Sequence, residues 1–180
     1  MILPNLFEEG TGMLRLLKVM IVLIIGLHSL FYALQNIANF YGAHGTMFSL
    51  GYVLSGVDHV HYPKTMFFYS SNPVLTMGAA VLVVIAELAV GFFGLKGAYD
   101  MFAARHASLE QFRNSMWSGQ VAAAFALLTW FGLFMTGGGA FFEMWQTQIG
   151  RGTVDLACKF ASISAIAMLF VYNTPDGPSH

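Results

Sequence analysis

Charge is scarce in this chain of 180 residues. Asp, Glu, Lys and Arg together make up 9% of it, against about 25% in an ordinary soluble domain. A soluble domain of this length needs a charged, hydrated surface, and nine acidic and eight basic side chains do not provide one. With hydrophobic residues at 57% and mean hydropathy at +0.65, this scarcity excludes a soluble enzyme and a disordered chain. Cysteine is nearly absent as well. Cys158 stands alone, so no internal disulfide staples the fold, and its apolar surroundings make it a small packing residue. A formal net charge of −1 gives no general attraction to nucleic acid. There is no phosphate-binding loop, no dinucleotide fingerprint and no nucleophile elbow. An integral membrane protein of a single domain remains.

Long apolar runs are what the chain has in quantity. Four of them reach the length of about 20 residues that a spanning helix needs: residues 16–35, 74–95, 117–135 and 154–172. Each is apolar nearly all round and lacks the alternation of a barrel strand. The expected class is therefore all-α, an integral membrane four-helix bundle. The first run follows Arg15 and Lys18, exceeds a secretory apolar region and has no small-residue cleavage pattern, so it reads as a retained span. Arg15, Lys18, Lys96, Arg105 and Arg113 gather at one set of span ends, whereas the other set has Lys64 and Arg151. The positive-inside rule then predicts both termini in the cytoplasm, with residues 36–73 and 136–152 outside a bacterial inner membrane.

The two outer segments are too apolar for plain loops. Residues 45–54 (GTMFSLGYVL) and 140–148 (AFFEMWQTQ), the second entered through Gly137, Gly138 and Gly139, predict short interfacial helices. Tyr41, Tyr52, Tyr62, Phe67, Phe68, Tyr69, Phe141, Phe142 and Trp145 fall at this level as an aromatic belt. Phe67, Phe68, Phe141, Phe142 and Trp145 are the expected contacts to another chain or to lipid. Pro73 suits the first turn of the second span, capped by Ser71 or Asn72. Gly78, Gly91, Gly94 and Gly97 suit close helix approach. The polar tail 173–180 (NTPDGPSH) stops the last helix.

Ionisable groups inside a bilayer are costly, and each is a functional candidate. His28 in the first span and Glu87 in the second both come out near mid-membrane on neighbouring antiparallel helices, so they are expected to pair or to form a ligand site. Lys159 follows Asp155 by four residues, and Asp155 follows Arg151 by four, a ladder able to neutralise itself along one helix face. Asp58, His59 and His61, with His44 nearby, are the nearest thing to a metal set. They lack a fixed spacing to a further ligand, and a polar outer loop is the simpler reading. Haem between two helix-borne histidines is disfavoured, because only His28 lies well inside a span.

At the third span the chain resembles a known family. Residues 130–152 (WFGLFMTGGGAFFEMWQTQIGRG) are similar to the WFGGFM–GGEWFAMWQS stretch of the bacterial predicted small integral membrane proteins, domain of unknown function 2165. Trp130, Phe131, Gly132, Phe134, Met135, Gly138, Gly139, Phe142, Met144, Trp145 and Gln146 carry the match. Ala86-Glu87, Asn36, residues 53–55 with Asp58, and Pro73 extend it over nearly the whole chain. Two positions depart. Phe67-Phe68 stand where the family has Arg in a WRAI-like stretch, and Ala140 stands where it has an acid. The resemblance implies that an outer polar pair is lost here together, leaving an apolar contact surface. It implies an architecture and no reaction.

The expected function is that of a non-enzymatic accessory or structural subunit in a larger membrane complex of respiratory, photosynthetic or monooxygenase type. Its partners would be the lipid bilayer and other integral membrane subunits, with no nucleic acid and no resident cofactor, lipid or quinone being the nearest ligands. The alternative is a small ligand-handling protein that binds a quinone, pigment or metal ion at His28/Glu87 or at the 58–61 loop.

Overall fold

Backbone polar groups in hydrocarbon have to be satisfied within their own segment, which leaves helix as the form for four separate apolar runs. The computed structural model describes residues 3–60 and 69–176, with side chains from residue 11 onward. It contains α1 (Leu3–Ala38), α2 (Thr46–Ser55), α3 (Pro73–Ala103), α4 (Leu109–Ser115), α5 (Trp117–Leu127) and α6 (Gln148–Asn173). Between α5 and α6 the chain continues as a wider π-wound segment (Leu128–Phe141) and one 3-10 turn (Met144–Gln146). Four helical stretches are long and apolar enough to cross a membrane: Thr11–Ala38, Pro73–Ala103, Leu109–Phe141 and Gln148–Asn173. They extend the expected spans at both ends.

The start signals act as expected. Asn72, not Ser71, caps α3: its Oδ1 accepts from the Val74 amide at 2.9 Å, and Pro73 follows where no amide is needed. Ser108 and Gln111 form a reciprocal capping box on α4. Helix α2 matches the expected interfacial helix and ends on Gly56 at φ 65, a left-handed residue against which the Tyr69 ring packs. The second expected interfacial helix is different. The π-wound segment absorbs residues 140–141, and the chain then reverses through Glu143 into the single turn Met144–Gln146.

Four crossings bring both chain ends to one end of the bundle, here the terminal face. The described parts of the first connection, 39–60 and 69–72, and residues 142–147 lie at the other, the distal face. Around the terminal half, Val19, Val22, Ala98, Met101, Phe112, Met116 and Val171 form one buried cluster. Two glycine contacts close it. A Cβ on Gly94 would lie 2.5 Å from the Gly26 Cα, and one on Gly97 would collide with the Gly119 backbone. Gly91 packs on Leu30, but Gly78 meets nothing within 4 Å and is no close-packing glycine. The charges read as flanks are used inside the fold. Arg15 donates through Nη1 to the carbonyls of Arg105 (3.0 Å) and Ala107 (2.7 Å) and lies over the Phe112 ring. Lys18 is fully buried; its Nζ donates to the Thr174 carbonyl at 2.6 Å and pairs with Asp176 Oδ1 at 2.6 Å. That pair ties the chain after α6 to the start of the first span.

Candidate functional site

The distal half is built on rings. Trp130, Val90, Ala126, Ala157 and Ala161 form its buried cluster, packed by Tyr32, Phe125, Phe134 and Phe160. Tyr32, Trp130 and Phe160 meet edge to face at centroid distances of 5.1–5.6 Å, and Trp130 stacks on Phe134 at 5.2 Å. Above these rings opens a cavity of about 360 Å³ between α1, α2, the π-wound segment and α6. Its floor is Tyr32, Trp130, Phe134 and Phe160; its upper wall carries Gln35, Asn39, His44, Ser49 and Thr153. Two residues of the π-wound segment, Trp130 and Phe134, line this cavity. Such winding is rare in helices and concentrates at functional sites. Phe142 donates its amide to the Gly137 carbonyl at 3.0 Å, five residues back, and residues 137–139 are all glycine.

Asn36 stands at the inner wall of the cavity and reaches through it to Glu87. Its Nδ2 donates to both Glu87 carboxyl oxygens, at 2.8 and 3.1 Å, while Thr46 Oγ1 donates back to the Asn36 carbonyl at 3.0 Å. Glu87 is fully buried, and Ser29 Oγ donates to its backbone carbonyl at 3.0 Å. No cation faces Glu87 among the described residues. The expected partner, His28, is elsewhere. Its ring lies 4.2 Å from Phe160 and 4.9 Å from Tyr32, and its buried Nε2 has no partner among the described residues. Asn36 takes its place because it sits two turns further along α1, level with the carboxyl.

Of the Asp58–His61 segment the structure describes residues 58–60. Asp58 is exposed, whereas His59 is 6% exposed and its Nε2 donates to the Phe142 carbonyl at 2.9 Å. His61, Phe67 and Phe68 lie outside the described residues. Among the described residues no three His, Cys, Asp or Glu side chains gather as metal ligands. His44 lies on the cavity wall against Phe48. Beside His59 the structure adds a residue the sequence reading passed over. Glu143 is 9% exposed and holds φ 50, the one positive φ at a non-glycine residue among those described. Its Oε2 accepts from Tyr69 Oη (3.0 Å) and Gln146 Nε2 (2.6 Å). Burial and this carboxylate push the Tyr69 hydroxyl up to about 12. An acid is therefore present at this corner, three residues after Ala140. Phe141 is 46% exposed and Trp145 37%, both at the distal rim. The one available signal for Glu143 was an acid inside the apolar turn of the MWQ block.

That block now has a structural role: Gln146 holds Glu143, Met144 is buried, and the Met144 carbonyl accepts from Thr147 Oγ1, which in turn caps α6. The chain belongs to the predicted small integral membrane protein family DUF2165, which matches residues 14–174. The match takes in all four spans, the cavity and the Glu143 corner. No curated protein and no solved structure matches the chain. The family reading brings architecture: a multi-pass membrane protein whose helices contact the lipid bilayer.

On α6 the expected self-neutralising ladder is not formed. Arg151 Nε donates to the Trp145 carbonyl at 3.4 Å. Asp155 and Lys159 are both exposed, and neither has an ion pair or hydrogen bond among the described residues.

Proposed function

We propose that this chain binds a small amphipathic molecule in the distal cavity, as a non-enzymatic protein of the bacterial inner membrane with both termini in the cytoplasm. The carrying observation is the cavity itself: an aromatic floor below a wall of amide, hydroxyl and imidazole groups. Such a lining suits a ligand with an uncharged hydrogen-bonding head and a flat or chain-like apolar body. A quinone has this chemistry, with carbonyl oxygens for the Gln35 and Asn39 amides and a ring for Trp130 and Phe134. Asn36 is fixed by Glu87 and Thr46, so that wall is set before a ligand arrives. The cytoplasmic placement of the termini is supported by Arg15, Lys18, Lys96, Arg105 and Arg113 at the terminal face.

The test is thermal unfolding of the detergent-solubilised chain with decylubiquinone. A ligand of the folded state raises the melting temperature with concentration. The wild type should shift, and Ser49→Trp, which fills the cavity from α2, should not. Equal shifts in both, or none in the wild type, would overturn the reading. A second reading, an accessory subunit of a larger membrane complex, is favoured by the Phe141 and Trp145 rings, 46% and 37% exposed at the distal rim.

A further inference from the structure

We propose that two copies of this chain associate in the membrane through the outward face of α6. This goes beyond the ligand reading and does not depend on it. Helix α6 has 26 residues, which makes it about 39 Å long. Lys159 lies on the distal half of this helix, inside the apolar run that begins at Val154, and it is exposed on the outward face. Asp155, Cys158, Lys159, Ser162 and Ile163 together line a shallow depression on this face. At comparable depth α3 exposes Val81, Leu82 and Ile85, which need no partner.

The pattern of charge selects the occupant. Asp155 and Lys159 are four residues apart and so share a face, and neither is paired within its own chain. Side chains on a helix lean toward its N-terminus, which brings the Lys159 ammonium to the level of Asp155. Two copies inserted the same way are related by a two-fold axis along the membrane normal, so one patch meets itself. Asp155 of each copy then meets Lys159 of the other, so the ion pair forms twice and every charge is matched once, with no further sequence required. Cys158 and Ser162, small and four apart, allow the two helices to approach closely. A different subunit would need its own acid and base at matching depth; a second copy has them by construction.

The chain carries its own reporter, because its one cysteine is exposed on this face. Copper-phenanthroline on native membranes removes two electrons and two protons from facing thiols and leaves one disulfide. The unmodified chain should run as a covalent dimer of twice its mass. Asp155→Lys should cut the yield about tenfold, the effect of roughly 1.4 kcal/mol on an association constant. The double exchange Asp155→Lys/Lys159→Asp should restore it. These substitutions point outward, and gel filtration confirms that the variants remain folded. Moving the thiol to α3, as Cys158→Ser/Leu82→Cys, should abolish the cross-link. A wild-type chain that stays monomeric under oxidant, a cross-link to another protein instead, or equal dimer yield from the α3 thiol would each overturn the proposal.

Discussion

In the terminal half, Gly26 and Gly94 bring α1 and α3 into backbone contact, and the Lys18–Asp176 pair locks the chain end over them. In the distal half the same two helices communicate through side chains: Asn36 holds Glu87, large rings fill the centre, and a cavity opens beside them. The difference teaches how an apolar bundle acquires a site. Small residues allow close packing and leave no space. Rings bury much area but fill volume imperfectly, and a widened helix adds room. One end is a clamp, and the other is a container.

The largest expected effect tests the clamp. Gly94→Leu drives a side chain into the α1 backbone and should cost several kcal/mol, on the order of 3 or more, or prevent folding. The same change at Gly78, which meets nothing within 4 Å, should stay within about 0.5 kcal/mol. Equal losses in reversible denaturation would erase the distinction between the halves. Next comes Lys18→Met, which leaves Asp176 buried without its cation and should cost about 3–5 kcal/mol. Adding Asp176→Leu should recover most of that loss. Failure to recover would mean that the pair does more than neutralise itself.

On the distal side Glu87→Leu strands both Asn36 donors and should cost about 1–3 kcal/mol, whereas Glu87→Gln keeps an acceptor and should cost less. Smaller is Tyr69→Phe, which removes one hydroxyl bond to Glu143 and should cost about 1 kcal/mol. Tyr69 also gives a pH signature. Its hydroxyl is pushed from 10.0 up to about 12, by burial first and then by Glu143. The folded state therefore keeps a proton that the unfolded state loses. This stabilisation is complete below pH 10 and is lost as pH rises through about 12. In Tyr69→Phe that part of the alkaline decline should vanish, as read by denaturation midpoints between pH 9 and 12.

Much of this frame was legible in the sequence, and for one reason. A bilayer demands all-round apolarity over a fixed length, so the four spans, α2 and the burial of Glu87 could be read from local composition. The residues that shape the cavity could not. His28 and Asn36 lie on the same helix, and which of them meets Glu87 depends on the rotation of α1 against α3. Lys18 looks like a flank marker because Asp176, its partner, is more than 150 positions away. Glu143 was hidden by a backbone reversal that its neighbours do not announce. The acid missing at Ala140 suggested a lost polar corner, yet the turn supplies one from Glu143 instead.

The central claim is that the distal half is a container. Native mass spectrometry of the chain released directly from membranes tests it most directly, read alongside an organic extract of the same sample. The account predicts wild-type protein carrying one amphipathic small molecule per chain, absent from Ser49→Trp at equal yield and equal stability. An empty wild-type chain, or the same adduct on Ser49→Trp, would contradict it.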